Sequence, residues 1–272
     1  MNKTKILLIA VILLSTAGFA HAKEGNSHEE PGHDKLGIDL SLNYASKYIW
    51  YGFDEYGNDS AVHPKLEIDL GKGFTAELGY WSSTVGGHVN HNELEYGLAY
   101  GNHIGHGKET IHYHAHWIYY DYPKVNSKEL DKQEFAVGFS LPHIFPVGNT
   151  EIEPYYDAVW VWPAKSSSHV KEIGGYLHRF GLKCDLPVSG LVEEKDQVFS
   201  FFADVTYNGN MGLYHHTEAT DYDWSHATFG VSTDIKVGDL TFTPYLNYQH
   251  SMEDRVNDEN ELYGGITVAY HF

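Results

Sequence analysis

One stretch of the chain, Thr110 to Tyr120, alternates with a period of two between two kinds of side chain. One set is apolar or aromatic: Ile111, Tyr113, Ala115, Trp117 and Tyr119. The other set is titratable: His112, His114 and His116. A period of two predicts a β-strand, because successive strand residues point to opposite faces. Such a strand needs an apolar environment on one side and water or a polar interior on the other. Either a soluble sandwich or the wall of an outer-membrane barrel meets that requirement.

The first residues predict export from the cytoplasm. Lys3 and Lys5 precede an apolar run from Ile6 to Leu14, and Ala20-His21-Ala22 has the small-residue pattern of a cleavage site. The apolar run is too short for a membrane-spanning helix, which needs about 20 residues. We therefore interpret residues 1–22 as a signal peptide, residues 23–35 as a flexible polar segment, and residues 36–272 as the folded domain.

The charge balance narrows the classes of partner. The chain has 18 basic and 37 acidic residues, and removing the two leader lysines changes the formal net charge from −19 to −21. This excess of acid disfavours nucleic acid, since phosphate binding requires basic patches, and favours cations. Cys184 is the only cysteine, so an intramolecular disulfide is excluded, and we expect it to act as a small apolar filler.

Short alternating segments recur along the rest of the chain. Aromatic residues make up 15% of it, including 21 Tyr, and there are 27 Gly. Twelve strands are predicted, at residues 37–50, 62–70, 74–82, 90–100, 110–120, 133–141, 151–162, 173–186, 198–207, 226–237, 240–249 and 262–272. Short links such as Gly71-Lys72-Gly73 tend to alternate with longer polar ones. An even strand number with this alternation predicts a transmembrane antiparallel up-and-down β-barrel, with both termini on the periplasmic side.

The last strand carries a second signal for the same fold. Val268, Tyr270 and the terminal Phe272 occupy alternate positions, with Ile266 before them. A terminal Phe preceded by apolar or aromatic residues at every second position resembles the assembly signal of bacterial outer-membrane barrels. We therefore expect the outer membrane as the location, its lipid as a partner, and the barrel assembly machinery as a second partner.

The first hairpin resembles a known family. The segment from Leu42 to Phe53 is followed by an acidic loop, then by His63-Pro64-Lys65-Leu66 and Gly73-Phe74-Thr75-Ala76. Together with the terminal strand, this is similar to the TorF-type outer-membrane porin family. This chain has Tyr51 where those proteins usually carry Arg. The resemblance implies an outer-membrane barrel and a porin, and it supplies no catalytic residues.

The histidine face is a candidate metal site. Side chains two apart on a strand have α-carbons about 6.5–7 Å apart, so His112, His114 and His116 could converge in pairs on one divalent ion. With a turn centred between His103 and Gly107, Glu95 and Glu93 would face His114 and His116. Glu134 on the next strand could also face His116. The alternative is that these histidines simply line a wet lumen, and no cofactor is then expected.

Other inward charges are candidate pore-lining residues. Lys65 and Glu67 lie opposite the apolar face of the second strand, and Arg179 lies in the eighth; Glu134 belongs to the same set. An enzyme is not expected. His250 and Ser251 are adjacent in a strand, so their side chains would point to opposite faces, and no Gly-x-Ser-x-Gly motif is present.

The sequence therefore predicts a porin-like channel for small hydrophilic solutes, with a preference for cations that arises from charged residues around the lumen. The alternative is a non-conducting barrel that is structural or binds a metal. A barrel of this size can also be filled by its own side chains.

Overall fold

A computed structural model describes residues 37–126, 129–142, 144–148, 150–166, 174–192, 195–212 and 220–272. The predicted signal peptide and the polar segment 23–35 lie outside the described residues. Within the described part, no helix is long and apolar enough to cross a membrane. The strands are β1 (Ile38–Ala45), β2 (Ile49–Trp50), β3 (Phe53–Asp54), β4 (Ala61–Gly71), β5 (Phe74–Ser83), β6 (Glu93–Ile104), β7 (Ile111–Asp121), β8 (Lys132–Ser140), β9 (Phe145–Val147), β10 (Thr150–Pro163), β11 (Gly175–Val192), β12 (Lys195–Gly209), β13 (Asp223–Ser232), β14 (Ile235–Val237), β15 (Leu240–Ser251) and β16 (Glu261–His271).

Twelve long strands form a closed antiparallel wall. Each pairs with the next long strand along the chain, and β16 returns to pair with β1 from Asp39–His271 to Ala45–Gly265. The last residue completes this seam, because the Phe272 N–H donates to the Ile38 carbonyl at 3.0 Å. The prediction of a twelve-stranded up-and-down barrel is confirmed. Closure leaves no unpaired edge strand, which a barrel in lipid requires.

The two faces of the wall differ as the alternation predicts. On the outside, large apolar side chains remain exposed, such as Leu42 on β1 at 50% and Leu98 on β6 at 45%. Phe135 and Trp160 neighbour each other on this face, with ring centroids 6.2 Å apart. In a soluble protein such a surface would aggregate, whereas in a membrane it contacts lipid.

The barrel has two distinct ends. One end, which we call the turn end, holds the start of β1 and the end of β16. The turn at Lys72-Gly73 and the β6–β7 turn lie at the same end. The longer connections, beginning with residues 46–60, lie at the other, the loop end. The periplasmic placement of the turn end stays a prediction.

Two predicted strands are interrupted in the structure. The first strand, predicted to reach Trp50, leaves the wall after Ala45, and residues 46–60 fold into the barrel. The strand predicted at 226–237 is interrupted after Ser232, and β14 forms a separate hairpin with β15. In both cases the apolar alternation continues past the end of the wall strand, so periodicity could not locate the break.

Inward glycines make room for large neighbours across the wall. Gly181 pairs with Tyr155, and a Cβ at Gly181 would lie 2.2–2.5 Å from atoms of the Tyr155 ring. Tyr245 covers Gly265 in the same way. The ring therefore packs against the neighbouring strand and fills part of the lumen without widening the barrel.

We expect Gly181→Ala to destabilise the barrel by about 1–3 kcal/mol, since the added methyl group overlaps the Tyr155 ring. Urea unfolding of the lipid-refolded protein, followed by heat-modifiable gel mobility, measures the change. Gly87→Ala is the matched control, because a Cβ at Gly87 meets no atom within 4 Å. Equal unfolding midpoints for the two variants would contradict the proposed close packing.

Candidate functional site: the lumen

The loop half of the lumen is occupied by residues 46–60, which we call the inserted segment. Its two short strands, β2 and β3, pair only with each other and form a hairpin. The central residues Tyr51 and Gly52 have φ values of 46° and 96°, as a two-residue type I′ turn requires. Glycine is also needed sterically at the second position, since a Cβ at Gly52 would lie 2.5 Å from His226 Nδ1.

Aromatic side chains of the inserted segment form a compact core inside the barrel. Trp50, Phe53 and Tyr56 are buried, and they cluster with wall and loop residues of the same end, including Tyr120 and Val256. Tyr48 stacks on Trp81 of the wall at 4.0 Å, and Trp81 stacks on His63 at 4.2 Å. The loop half of the lumen is therefore packed rather than open.

A buried lysine joins the inserted segment to the wall. Lys132 Nζ lies 3.6 Å from the centroid of the Trp50 ring, 3.6 Å from Glu55 Oε1 and 3.8 Å from Glu93 Oε2. Burial raises the pKa of the Glu55 carboxyl, while the Lys132 ammonium acts in the opposite direction. Because Lys132 and both carboxylates are almost fully buried, each depends on the others for compensation of its charge.

Tyrosine hydroxyls satisfy the inward carboxylates of the loop half. Tyr51 Oη donates to Glu134 Oε1 at 2.8 Å, and Tyr120 Oη donates to Glu134 Oε2 at 2.8 Å. Tyr48 Oη donates to Glu93 Oε1 at 3.0 Å, and Tyr122 also bonds to Glu93. Each of these two carboxylates therefore contacts one tyrosine of the inserted segment and one tyrosine at the loop end of β7.

The turn half of the lumen is an open vestibule of about 1880 Å³. Ile49, Tyr51 and Gly52 of the inserted segment contribute to its lining where the vestibule meets the packed half. Nine carboxylate side chains line it, against four basic ones: Lys65, Lys72, Arg179 and Lys183. Two of these bases are paired, Lys65 with Glu77 at 2.6 Å and Arg179 with Asp157 at 3.1 Å. The vestibule therefore carries an excess of negative charge.

The three histidines of β7 point inward but engage different partners. His112 and His114 line the vestibule, while His116 is buried beside the inserted segment. His114 Nε2 lies 3.2 Å from Asp157 Oδ1, and His116 Nε2 lies 2.7 Å from Glu134 Oε1. Among the described residues, no group of three or more His, Cys, Asp or Glu side chains is arranged to hold a metal ion.

The expected pairing of Glu93 and Glu95 with the histidines is wrong. Glu95 pairs with Tyr120, six residues beyond His114, and Glu93 lies opposite Trp81 on the other side. The reason is the β6–β7 turn, which continues through Gly105, Gly107 and a 3₁₀ turn to Glu109. Because the register shift is even, both glutamates still point inward. Glu95 contacts His63 at 2.9 Å instead.

The predicted pore-lining residues separate into two groups. Lys65, Glu67 and Arg179 line the vestibule, whereas Glu134 is buried against the inserted segment. Val268, Tyr270 and Phe272 lie in or directly after β16, at the seam. Sequence reasoning missed the inserted segment and Lys132. The available signal is Tyr51-Gly52, a turn pair inside a segment whose pattern predicts the end of a strand and a loop.

We expect Lys132→Met to loosen the inserted segment, because Glu55 and Glu93 would remain buried without their cation, at a cost of about 3–5 kcal/mol. Limited trypsin digestion, read by mass spectrometry as cleavage after Lys47, measures this release. Lys236→Met is the matched control, since Lys236 is exposed at the turn end. Cleavage at the wild-type rate in Lys132→Met would show that the buried charges do not hold the segment.

Comparisons with known proteins agree on the fold. No protein-family model matches the chain, and no curated protein matches it, so membership of the TorF-type family stays a prediction. Among solved structures, a KdgM porin covers 86% of this chain and 99% of its own, with a TM-score of 0.50 and 10% identity. A NanC porin covers 86% and 100%, with a TM-score of 0.50 and 12% identity.

A third solved structure has the same architecture. An outer-membrane channel from Pseudomonas putida F1 covers 90% of this chain and 100% of its own, with a TM-score of 0.51 and 10% identity. At these identities the likeness establishes the fold. Together with the closed twelve-stranded wall, it places the chain among outer-membrane β-barrels with porin-like architecture, in contact with membrane lipid.

Proposed function

We propose that this protein is an outer-membrane channel for small hydrophilic solutes with a preference for cations. The observation that carries this proposal is the vestibule, whose volume of about 1880 Å³ exceeds that of typical small-molecule pockets, about 300–1,000 Å³. A cavity of this size with many charged side chains in its lining admits water and hydrated ions. The porin-like architecture supports the same function.

The charge of the vestibule supports the cation preference. Its nine acidic and four basic side chains surround one aqueous space, so their fields add within it. Glu153 and Asp185 are the simplest groups to test. They line the vestibule near Lys183, and neither is needed for the packed half of the lumen.

The experiment is the reversal potential of refolded protein in planar bilayers under a KCl gradient. We expect cation selectivity in the wild type. Glu153→Gln with Asp185→Asn should lower the K⁺/Cl⁻ permeability ratio by about five-fold per charge, since a unit charge about 8 Å away in water shifts the energies of K⁺ and Cl⁻ by about 0.5 kcal/mol each, in opposite directions.

The matched control removes the same charge at the loop end. Asp258→Asn with Glu259→Gln changes two exposed or partly exposed groups outside the vestibule, and it should leave the ratio close to the wild-type value. An anion-selective wild type, or equal ratios in both double variants, would contradict the role of the vestibule in cation preference.

The alternative function is a non-conducting barrel, and the packed loop half of the lumen favours it. This alternative predicts no current from correctly folded protein. In its metal-binding form it further predicts that zinc stays bound after dialysis. It also predicts that His112→Ala with His114→Ala releases the zinc, since these two imidazoles reach the vestibule.

A further inference from the structure

We propose that the inserted segment is a gate, which closes the lumen in this structure and leaves it as a unit when the channel opens. This inference rests on the proposed channel function and adds its regulation. The segment contributes to the inner end of the vestibule through Ile49, Tyr51 and Gly52. Beyond them, Trp50, Phe53 and Tyr56 fill the space between the walls. Solutes that enter from the turn end meet this barrier.

The backbone of the segment is separable from the wall. The chain leaves the wall after Ala45 and returns at Ala61, and these two residues are directly paired in the β1–β4 ladder. Between them, β2 and β3 pair only with each other. Displacing the hairpin therefore breaks no ladder hydrogen bond of the barrel, and the wall keeps its register.

The ends of the segment are fixed while its middle is held by side chains. Ser46 N–H donates to the Gly264 carbonyl at 2.7 Å, and Thr84 N–H donates to the Ser60 carbonyl at 2.8 Å. The middle is attached through Tyr51 to Glu134, through Glu55 to Lys132, and through the Gly52 carbonyl, which accepts from Gln249 Nε2 at 2.9 Å. Water can replace each of these side-chain partners, whereas it cannot replace a ladder in lipid.

The wall behind the segment is also more polar than a permanent core requires. Glu93, Glu134, Glu261 and Gln249 all point into the loop half and are at most 2% exposed. Burying carboxylates and amides against an aromatic core is unfavourable unless each is compensated. When the segment leaves, these groups become hydrated. They then continue the acidic lining of the vestibule through the loop half, as a cation-preferring path needs.

The inserted segment also contains residues at which its backbone could bend as a hinge. Gly57 and Asn58 have φ values of 57° and 72°, so the return from Tyr56 to Ser60 is built from residues in left-handed turn conformations. Lys47 contacts Asn58 and Glu261 near the same end. Rotation near Lys47 and Asn58 would move the hairpin toward the loop end without disturbing Ser46 or Ser60.

The test replaces residues 47–59 with Asn-Gly, which joins Ser46 to Ser60 by a two-residue hairpin turn and preserves the Ala45–Ala61 pair. Wild type and the shortened variant are refolded together, checked for heat-modifiable mobility, and compared in planar bilayers. We expect the wild type to be closed most of the time. The shortened variant should be open continuously, with several-fold more current per folded barrel.

A second variant keeps the segment and weakens one attachment. Tyr51→Phe with Glu134→Gln removes the hydroxyl and the charge of that contact, so we expect more frequent openings of the wild-type unit conductance. Asp258→Asn is its matched control, because it removes an exposed carboxylate at the loop end that does not line the vestibule. This variant also decides the question if the shortened chain fails to fold.

The outcomes separate the gate from the channel. Equal open probability and unit conductance in the wild type and both altered proteins would overturn the gate while leaving the channel function intact. If no folded protein conducts, including the shortened variant, the channel function itself fails and the gate fails with it. Current that appears or increases in the altered proteins, and not in Asp258→Asn, supports the gate.

Discussion

The structure depends on one constraint: within lipid, every backbone N–H and C=O must find a partner inside the protein. The β1–β16 seam meets it, with seven consecutive residue pairs and a final hydrogen bond from Phe272. Once the wall is closed, the alternation of side chains determines which residues face outward and which face inward. Each strand then presents one face to lipid and the other to a lumen that has to be filled with water, with side chains, or with both.

In this lumen, one half is open space and the other half is filled with side chains. The turn half is an open vestibule with an acidic lining, while the loop half holds an aromatic hairpin packed around Trp50. The carboxylates between them are acceptable in both settings, because tyrosine hydroxyls and Lys132 compensate them when they are buried. That dual compatibility distinguishes the inserted segment from an ordinary core, whose wall would be apolar throughout.

Much of the wall could be predicted from the sequence, and much of the site could not. Strands such as Thr110–Tyr120 can be recognised from their alternation with a period of two. A shift in strand pairing by an even number of residues does not change which face a residue occupies. The inward direction of Glu93, Glu95 and His116 was therefore predictable. The contact of His116 with Glu134 was predictable as well. The partners of Glu93 and Glu95 were not, because the turn between β6 and β7 is longer than its glycines alone indicate, and a few turn residues move every contact along the hairpin.

By itself, the sequence determined the fold class, the strand number and the acidic balance of the chain, because these follow from local alternation and composition. Only the tertiary structure decided that residues 46–60 enter the barrel rather than extend a strand or cover its mouth. The same aromatic residues would suit a lipid-facing strand or a buried hairpin, and the choice depends on partners distant in sequence. Glu134, Lys132 and Gln249 supply those partners, and they come together only when the barrel closes.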